Sequence, residues 1–179
     1  MSAKPAEGVS LQHIIVVGGS AAEWASLDGE QWAGRAAELG KVADHVGASW
    51  LTIRPFGSVN PSETQAASSE APVGSCLVVT DPEADGRARL TRAVAGLQAA
   101  GSEITEATIG AALNAPAQAD PDLVVVVGAK HRMPPSLVWE LAYSELVFVD
   151  TAWQHFGPAH LEEAIGSYAH RHRRFGGID

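Results

Sequence analysis

Short runs of β-branched residues alternate along the chain with longer alanine-rich stretches, and this alternation constrains the fold more tightly than any other feature of the sequence. A brief, wholly apolar run has the length of a strand buried on both faces, whereas apolar positions three and four apart form one face of a helix. His13–Val17 (HIIVV) reads as a first strand, turned sharply by Gly18-Gly19-Ser20. Trp50–Ile53 and Cys76–Thr80 read as the second and third strands, Leu123–Val127 (LVVVV) as the central one and Leu146–Val149 as the last. Between them, Asp28 to Val46 predicts a helix with Trp32, Ala36, Leu39, Val42 and Val46 inward, and Asp85 to Ala100 one with Leu90, Val94 and Leu97 inward. Glu103 to Asn114 and Ser136 to Tyr143 read as shorter helices, and Pro158 to Arg173 as a closing helix with proline near its first turn. Ser58 to Gly74 is rich in Ser, Ala, Pro and Glu and reads as a long mobile surface loop; Ala115 to Pro121 reads as a linker. Alternating strands and helices specify an α/β fold with a mostly parallel central sheet flanked by helices. Residues 1–10 are expected to be a flexible N-terminus and 11–179 a single domain.

The 179 residues are enough for a full hydrophobic core. The lone Cys76 supports neither a disulfide framework nor a zinc knuckle, and no apolar run reaches the ~18 residues of a membrane span. Met1 to Ser10 lacks the basic start and apolar block of a secretory signal, so a cytoplasmic location is expected. A net charge of −9 argues against general nucleic-acid binding, which needs a basic face. The charge is uneven, however. Residues 171–179 hold three Arg and one Asp, a net of +2, and the other 170 carry −11.

Few residues pattern as a site. Gly18-Gly19-Ser20 turns amides toward the space after a strand, but completes neither a G-x-G-x-x-G nor a Walker pattern, and a plain tight turn explains it as well. The seven histidines show no metal-ligand spacing, and no serine sits in a nucleophile elbow. Lys130-His131-Arg132 follows the central strand, where α/β sheets bind anions, though a solvated turn accounts for it equally. The tail His170-Arg-His-Arg-Arg-Phe-Gly-Gly177 sets guanidinium groups beside paired glycines, which suits a phosphate; a basic helix end complementing the helix dipole is the plainer alternative.

Taken in order, these segments resemble the cis-prenyltransferases, the undecaprenyl diphosphate synthase family. His13-Ile-Ile-Val-Val-Gly-Gly-Ser-Ala-Ala-Glu-Trp24-Ala25 is similar to that family's H-x-x-x-x-M-D-G-N-G-R-W-A, and Trp50-Leu-Thr-Ile-Arg-Pro-Phe56 to its second strand. Asp122-Leu-Val, Gly128, Arg132, Leu137, Trp139 and Leu141-Ala-Tyr-Ser-Glu-Leu146 resemble its D-L-x-I-R-T-G-G-E-x-R-x-S-N-F-L-x-W-Q-x-A-Y-x-E-L. Phe148, Asp150, Trp153 and Phe156 continue the likeness, and Arg173-Arg-Phe-Gly-Gly177 matches the closing motif. The resemblance implies a cis-prenyltransferase-like fold, here without the long helices that wall the family's product tunnel.

The departures imply a changed role. The family's first-strand Asp, which helps to bind magnesium and the allylic diphosphate, is Gly19 here, and its G-N-G-R loop is Ser20-Ala21-Ala22-Glu23. A glycine cannot ligate a hard cation, and a glutamate repels a diphosphate. In the later block Val126, Val127, Lys130 and Pro134 replace the family's Arg, Thr, Glu and Ser, leaving Arg132. The pattern resembles the non-catalytic subunits of heteromeric cis-prenyltransferases, of which the Nogo-B receptor is an example. By that resemblance the chain has no catalytic residue and no metal ligand of its own. Arg132, Arg174, Gly176 and Gly177 would bind substrate, and Trp139, Glu145, Leu146 and Phe148 would form the subunit interface. Mg2+ would be bound mainly by a catalytic partner, with isopentenyl diphosphate shared at the interface and any membrane contact peripheral, through the complex. In isolation a homodimer is expected to be accessible. A stand-alone diverged prenyltransferase or cyclase acting on a short allylic diphosphate is the first alternative, and a scaffolding paralogue the second.

Overall fold

The computed structural model describes residues 11–57, 68–128, 132–142 and 144–175, with side chains through Arg171. The N-terminus expected to be flexible, residues 1–10, lies outside them. Among the described residues six strands form one sheet: β1 (His13–Val17), β2 (Trp50–Arg54), β3 (Ser69–Val73), β4 (Cys76–Thr80), β5 (Leu123–Val127) and β6 (Glu145–Val149). Their spatial order is β3-β4-β2-β1-β5-β6. Every pairing is parallel except β3 with β4. Five helices accompany them: α1 (Ala21–Ala25), α2 (Gly29–His45), α3 (Gly86–Ala99), α4 (Glu106–Asn114) and α5 (Pro158–Phe175).

Strand alternation divides the interior in two. Ile14 and Val16 of β1, Leu51 and Ile53 of β2, Val78 of β4 and Leu123 and Val125 of β5 face α2 and α5. Those helices answer with Ala36, Leu39, Val42 and Ala43, and with Leu161, Ala164, Ile165 and Tyr168. Asp28 starts α2 through a capping box with Gln31, which satisfies two otherwise orphaned donors. The opposite face is smaller: Ile15, Val17, Val124 and Val126 under Leu137, with Phe56, Leu146 and Phe148 partly buried against them.

Several sequence expectations need correction. The loop read over Ser58 to Gly74 contains β3, an exposed edge strand hairpinned to β4; residues 58–67 lie outside the described residues. Its alternation was invisible because an edge strand buries little, and Pro72 fits there because an edge leaves one row of amides unpaired. The hairpin is tied to α2 by Asp44 Oδ1, which accepts from Ser75 N and Oγ, each at 2.7 Å. β5 is interior but one strand from the edge, so it is not the middle strand. Helix α4 begins at Glu106, not at residue 103, because Thr105 caps it. In place of a helix from Ser136 to Tyr143 there is one 3-10 turn, Glu140–Ala142, and Tyr143 lies outside the described residues. On α3, Leu90, Val94 and Leu97 are only half-buried, and the buried positions are Gly86 and Arg89.

His13 opens β1 wholly buried. Its Nδ1 is 3.0 Å from Ala119 O, and a carbonyl only accepts, so the proton sits on Nδ1 and Nε2 accepts from Thr52 Oγ1 at 3.0 Å. Burial lowers its pKa from 6.5 to about 4. The folded state therefore takes up this proton later than the unfolded chain does, and stability falls as the pH drops from 6.5 toward 4. A lowering from 6.5 to about 4 corresponds to roughly 3 kcal/mol. Urea denaturation between pH 7 and pH 4.5 is expected to lose about 2 kcal/mol or more through His13. A His13→Asn variant, less stable at pH 7, should show a correspondingly shallower acid dependence.

Candidate functional site

Parallel sheets bind ligands beyond the C-terminal ends of their strands, and here that edge is built around the turn after β1. Gly18 N donates to Arg54 O at 3.0 Å and Phe56 N to Gly19 O at 2.9 Å, which stitches the turn to the segment after β2. Gly19 has φ +78°, a backbone conformation that side chains disfavour. Ser20 then caps α1. Glu23 Oε2 accepts from Ser20 N at 2.8 Å and from Ser20 Oγ at 3.0 Å, while Glu23 N donates back to Ser20 Oγ. The chain's own carboxylate thus occupies the amide and hydroxyl of Ser20.

Trp153, in a 3-10 turn ahead of α5, fills the space over this turn. A Cβ at Gly19 would lie 2.7 Å from its Cδ1 and 2.8 Å from its Nε1, and one at Gly18 would lie 2.5 Å from its Cε3. The indole is held from several sides. Phe156 stacks at 6.2 Å and Trp24 at 6.3 Å, and Arg35 lies 4.2 Å from the ring centroid. Arg35 Nη2 also donates to the carbonyls of Trp153 and Phe156, and Trp24 Nε1 donates to Gly18 O at 2.8 Å. A carboxylate side chain has no room at position 19 while Trp153 is seated.

The smaller sheet face carries a buried ionic knot. Glu140, fully buried, has Oε1 2.5 Å from Arg54 Nη1 and 2.6 Å from Arg89 Nη2. Arg54 Nε reaches Asp81 Oδ2 at 3.2 Å, and Arg89 Nη2 also donates to Ser136 O. Burial works to raise the Glu140 pKa, but Arg54 and Arg89 together outweigh it and hold the carboxyl below its usual range. Burial, with Arg54 nearby, lowers Arg89 to about 10. These four charges were missed in the sequence, although a charged residue at an inward position of an amphipathic helix, as Arg89 is, was the available signal.

The expected site residues separate into three places. Arg132 is exposed at the C-terminal edge, its guanidinium carbon 5.5 Å from the Phe56 ring, so it does join the β1 turn; Lys130 and His131 lie outside the described residues. Trp139, half-buried, packs toward α4 at Gly110, while Leu146 and Phe148 pack on the smaller face. Glu145 lies at the opposite, N-terminal edge, where its Cα pairs with Leu123. There Arg171 Nη1 contacts Glu145 Oε1 at 3.2 Å and donates to Leu146 O at 3.0 Å. The backbone of Arg174 lies in the last turn of α5, its side chain is outside the described part, and so are Gly176 and Gly177. For a resident Mg2+ the fit is poor: Gly19 offers no ligand, Trp153 fills its side, and Glu145 is engaged by Arg171.

A family profile described as "Putative undecaprenyl diphosphate synthase" matches residues 69–176, more than half of the chain. The β1 turn lies before the matched stretch. Isoprenyl transferase 2 of Bradyrhizobium diazoefficiens is 44% identical over 90 residues, 50% of this chain and 36% of that protein. A ditrans,polycis-undecaprenyl-diphosphate synthase ((2E,6E)-farnesyl-diphosphate specific) of Lactiplantibacillus plantarum is 43% identical over 84 residues, 45% of this chain and 32% of that protein. The matched stretch therefore spans only about a third of these relatives' own length. In fold, the chain is similar to a probable undecaprenyl diphosphate synthase from Campylobacter jejuni, with a TM-score of 0.61, 17% identity, and 90% and 96% of the two chains covered. Lavandulyl diphosphate synthase from Lavandula x intermedia, solved with dimethylallyl diphosphate, gives the same TM-score and identity, with 88% and 94% covered.

Two substitutions test this geometry. Gly19→Asp is expected to lose about 2–4 kcal/mol, combining overpacking against Trp153 with a strained φ, and to gain no magnesium-dependent binding of inorganic pyrophosphate by calorimetry. Glu140→Gln, which leaves two buried guanidinium groups short of a counter-charge, is expected to cost about 3–5 kcal/mol by denaturant titration at pH 7.

Proposed function

This chain belongs to the undecaprenyl diphosphate synthase family, and from that premise we propose that it is a non-catalytic subunit that completes the isopentenyl diphosphate site of a catalytic cis-prenyltransferase partner. The observation that carries the reading is the closed β1 turn: Gly19 in place of a carboxylate, Trp153 seated against it and Glu23 on its donors. The partner supplies the carboxylate, the allylic-diphosphate loop, the magnesium and the hydrocarbon tunnel.

Helix geometry supports the role given to the tail. Because Arg171 is anchored to Glu145 and Leu146 at the start of β6, α5 ends at the edge of the sheet opposite the β1 turn. Five residues of parallel strand, at ~3.3 Å each, separate the two edges by roughly 16 Å. The last turn of α5 therefore lies at the edge away from the chain's own β1 turn, which supports a role for the tail in another molecule's site. Arg174 and the Gly176 and Gly177 amides then bind the diphosphate of the second substrate, neutralising its charge and fixing its orientation, which is catalysis by positioning. Arg132, at the edge that carries the β1 turn, is a separate substrate-binding cation in this reading, and Trp139, Glu145, Leu146 and Phe148 belong to the contact with the partner. Among the described residues, three of the four large exposed hydrophobic side chains, Met133, Val138 and Leu141, fall in the segment beside them, which supports a covered surface there.

Co-purification from the native host at mild salt is expected to recover a heteromer that makes polyprenyl diphosphate. Within that complex, Arg174→Ala should lower turnover about tenfold to a hundredfold, the loss of one charge-assisted contact, while leaving assembly intact. Product formed by the purified chain alone from short prenyl diphosphates would replace this reading with a stand-alone enzyme. Full activity after the Arg174 substitution would leave only the scaffolding role.

A further inference from the structure

Helix α3 is attached to the rest of the molecule unlike the other long helices. Its apolar positions Leu90, Val94 and Leu97 stay half-buried, whereas α2 buries Ala36, Leu39, Val42 and Ala43, and α5 buries Leu161, Ala164, Ile165 and Tyr168. The close helix–strand approaches are made by α2 and α5; the close neighbour of α3 is α4. What is buried on α3 lies in its first turn, at Gly86 and Arg89. There Gly86 N donates to Pro135 O at 3.2 Å, and Arg89 Nη2 donates to Ser136 O at 2.9 Å and to Glu140 Oε1 at 2.6 Å. Farther along, the exposed Arg92 pairs with Glu83, in the loop that leads into the same helix.

Even that first turn is incompletely satisfied. Arg89, 8% exposed, has Nε and Nη1 buried without a hydrogen bond, and Nη1 meets Asp81 Oδ2 only at 3.8 Å. A buried guanidinium short of partners regains its hydration on leaving, so its departure costs little. Glu140 is not stranded by that departure, because Arg54 Nη1 still holds its Oε1 at 2.5 Å. We infer that α3 is a separately opening element, latched at Arg89, which detaches while the strands and the helices on the other sheet face stay in place. A lone helix of 14 residues is marginal in water, and Gly96 in its interior weakens it further, so detached α3 melts. Opening uncovers Ser136, Glu140 and the Arg54 end of β2, all buried while α3 is seated. Segments with few buried apolar contacts are the ones that open below the global stability. This behaviour follows from packing and does not depend on the prenyl-diphosphate reading.

The test is amide hydrogen exchange of the full chain at pH 7, read by mass spectrometry of peptides and corrected for intrinsic rates. Peptides covering residues 90–99 are expected to exchange at least about a hundredfold faster than those covering β1 and β5. Their rates should respond weakly to low urea, because a local opening exposes little surface. Two variants separate the latch from global stability. Arg89→Ala should speed exchange of residues 90–99 about tenfold, one charge-assisted contact, and leave β1 and β5 unchanged. Ile165→Val, which trims the packing of α5 on the sheet, should speed exchange of β1 and β5 about fivefold and leave residues 90–99 unchanged. Exchange of α3 as slow as that of β1, or parallel changes in α3 and the strands in either variant, would overturn the inference. So would exchange of α3 unmoved by Arg89→Ala. Circular dichroism checks that each variant is folded, and loss of folding in Arg89→Ala also counts against the latch, because a fastening of one element does not carry the whole fold.

Discussion

Glu140 joins β2 to α3 through two arginines, and the whole of the sheet's smaller face is organised by that junction. The other face closes mainly by apolar packing, because α2 and α5 both bring continuous stripes to it. Helix α3 brings no such stripe. Only Gly86 and Arg89 are buried on it, so its attachment is ionic where that of the others is hydrophobic. Such an attachment has a particular character. Each charge loses several kcal/mol of hydration, and close pairing recovers that loss only when all partners are present. The knot is therefore a device of geometry more than of net stability, since it fixes where α3 and the segment before β6 sit. It also fills with charge an interior that a hydrocarbon ligand would need to find apolar.

The strands were legible in the sequence wherever both faces are buried. HIIVV, CLVVT and LVVVV declare themselves by composition, and α2 by its spacing, because burial against a sheet demands those residues. What escaped was structure whose stabilisation is not written in apolar patterns. The edge strand β3 is held by backbone pairing and a hairpin anchored on Asp44, so SEAPV carries no alternation to read. The segment 136–143 looks helical because helix formers dominate it. Yet Glu140 must turn inward toward Arg54 and Arg89, and that tertiary demand leaves a single 3-10 turn.

The candidate site divides in the same way. That Gly19 stands where the resemblance expects a carboxylate was visible as a letter, but what occupies the space was not, since it is Trp153, more than a hundred residues away. A resemblance reports which side chains are missing; only packing reports whether the vacancy is still a vacancy. Likewise Glu145 was read only as an interface residue, and its pairing with Arg171 gives it a second role, as the anchor of the helix that carries the basic tail.

That anchoring also fixes where the end of α5 stands relative to the β1 turn. A parallel sheet is stiff along its strands, so it maintains a constant separation between the edge that carries the β1 turn and the edge where α5 ends. A flexible basic peptide would present the same arginines and glycines, but it would have to lose the entropy of ordering each residue on binding, at roughly 1–2 kcal/mol apiece. The residues of the eighteen-residue helix α5, packed through Leu161, Ala164, Ile165 and Tyr168, spend that entropy during folding. The sheet and α5 thus hold the final turn of the helix at a fixed distance from the closed β1 edge.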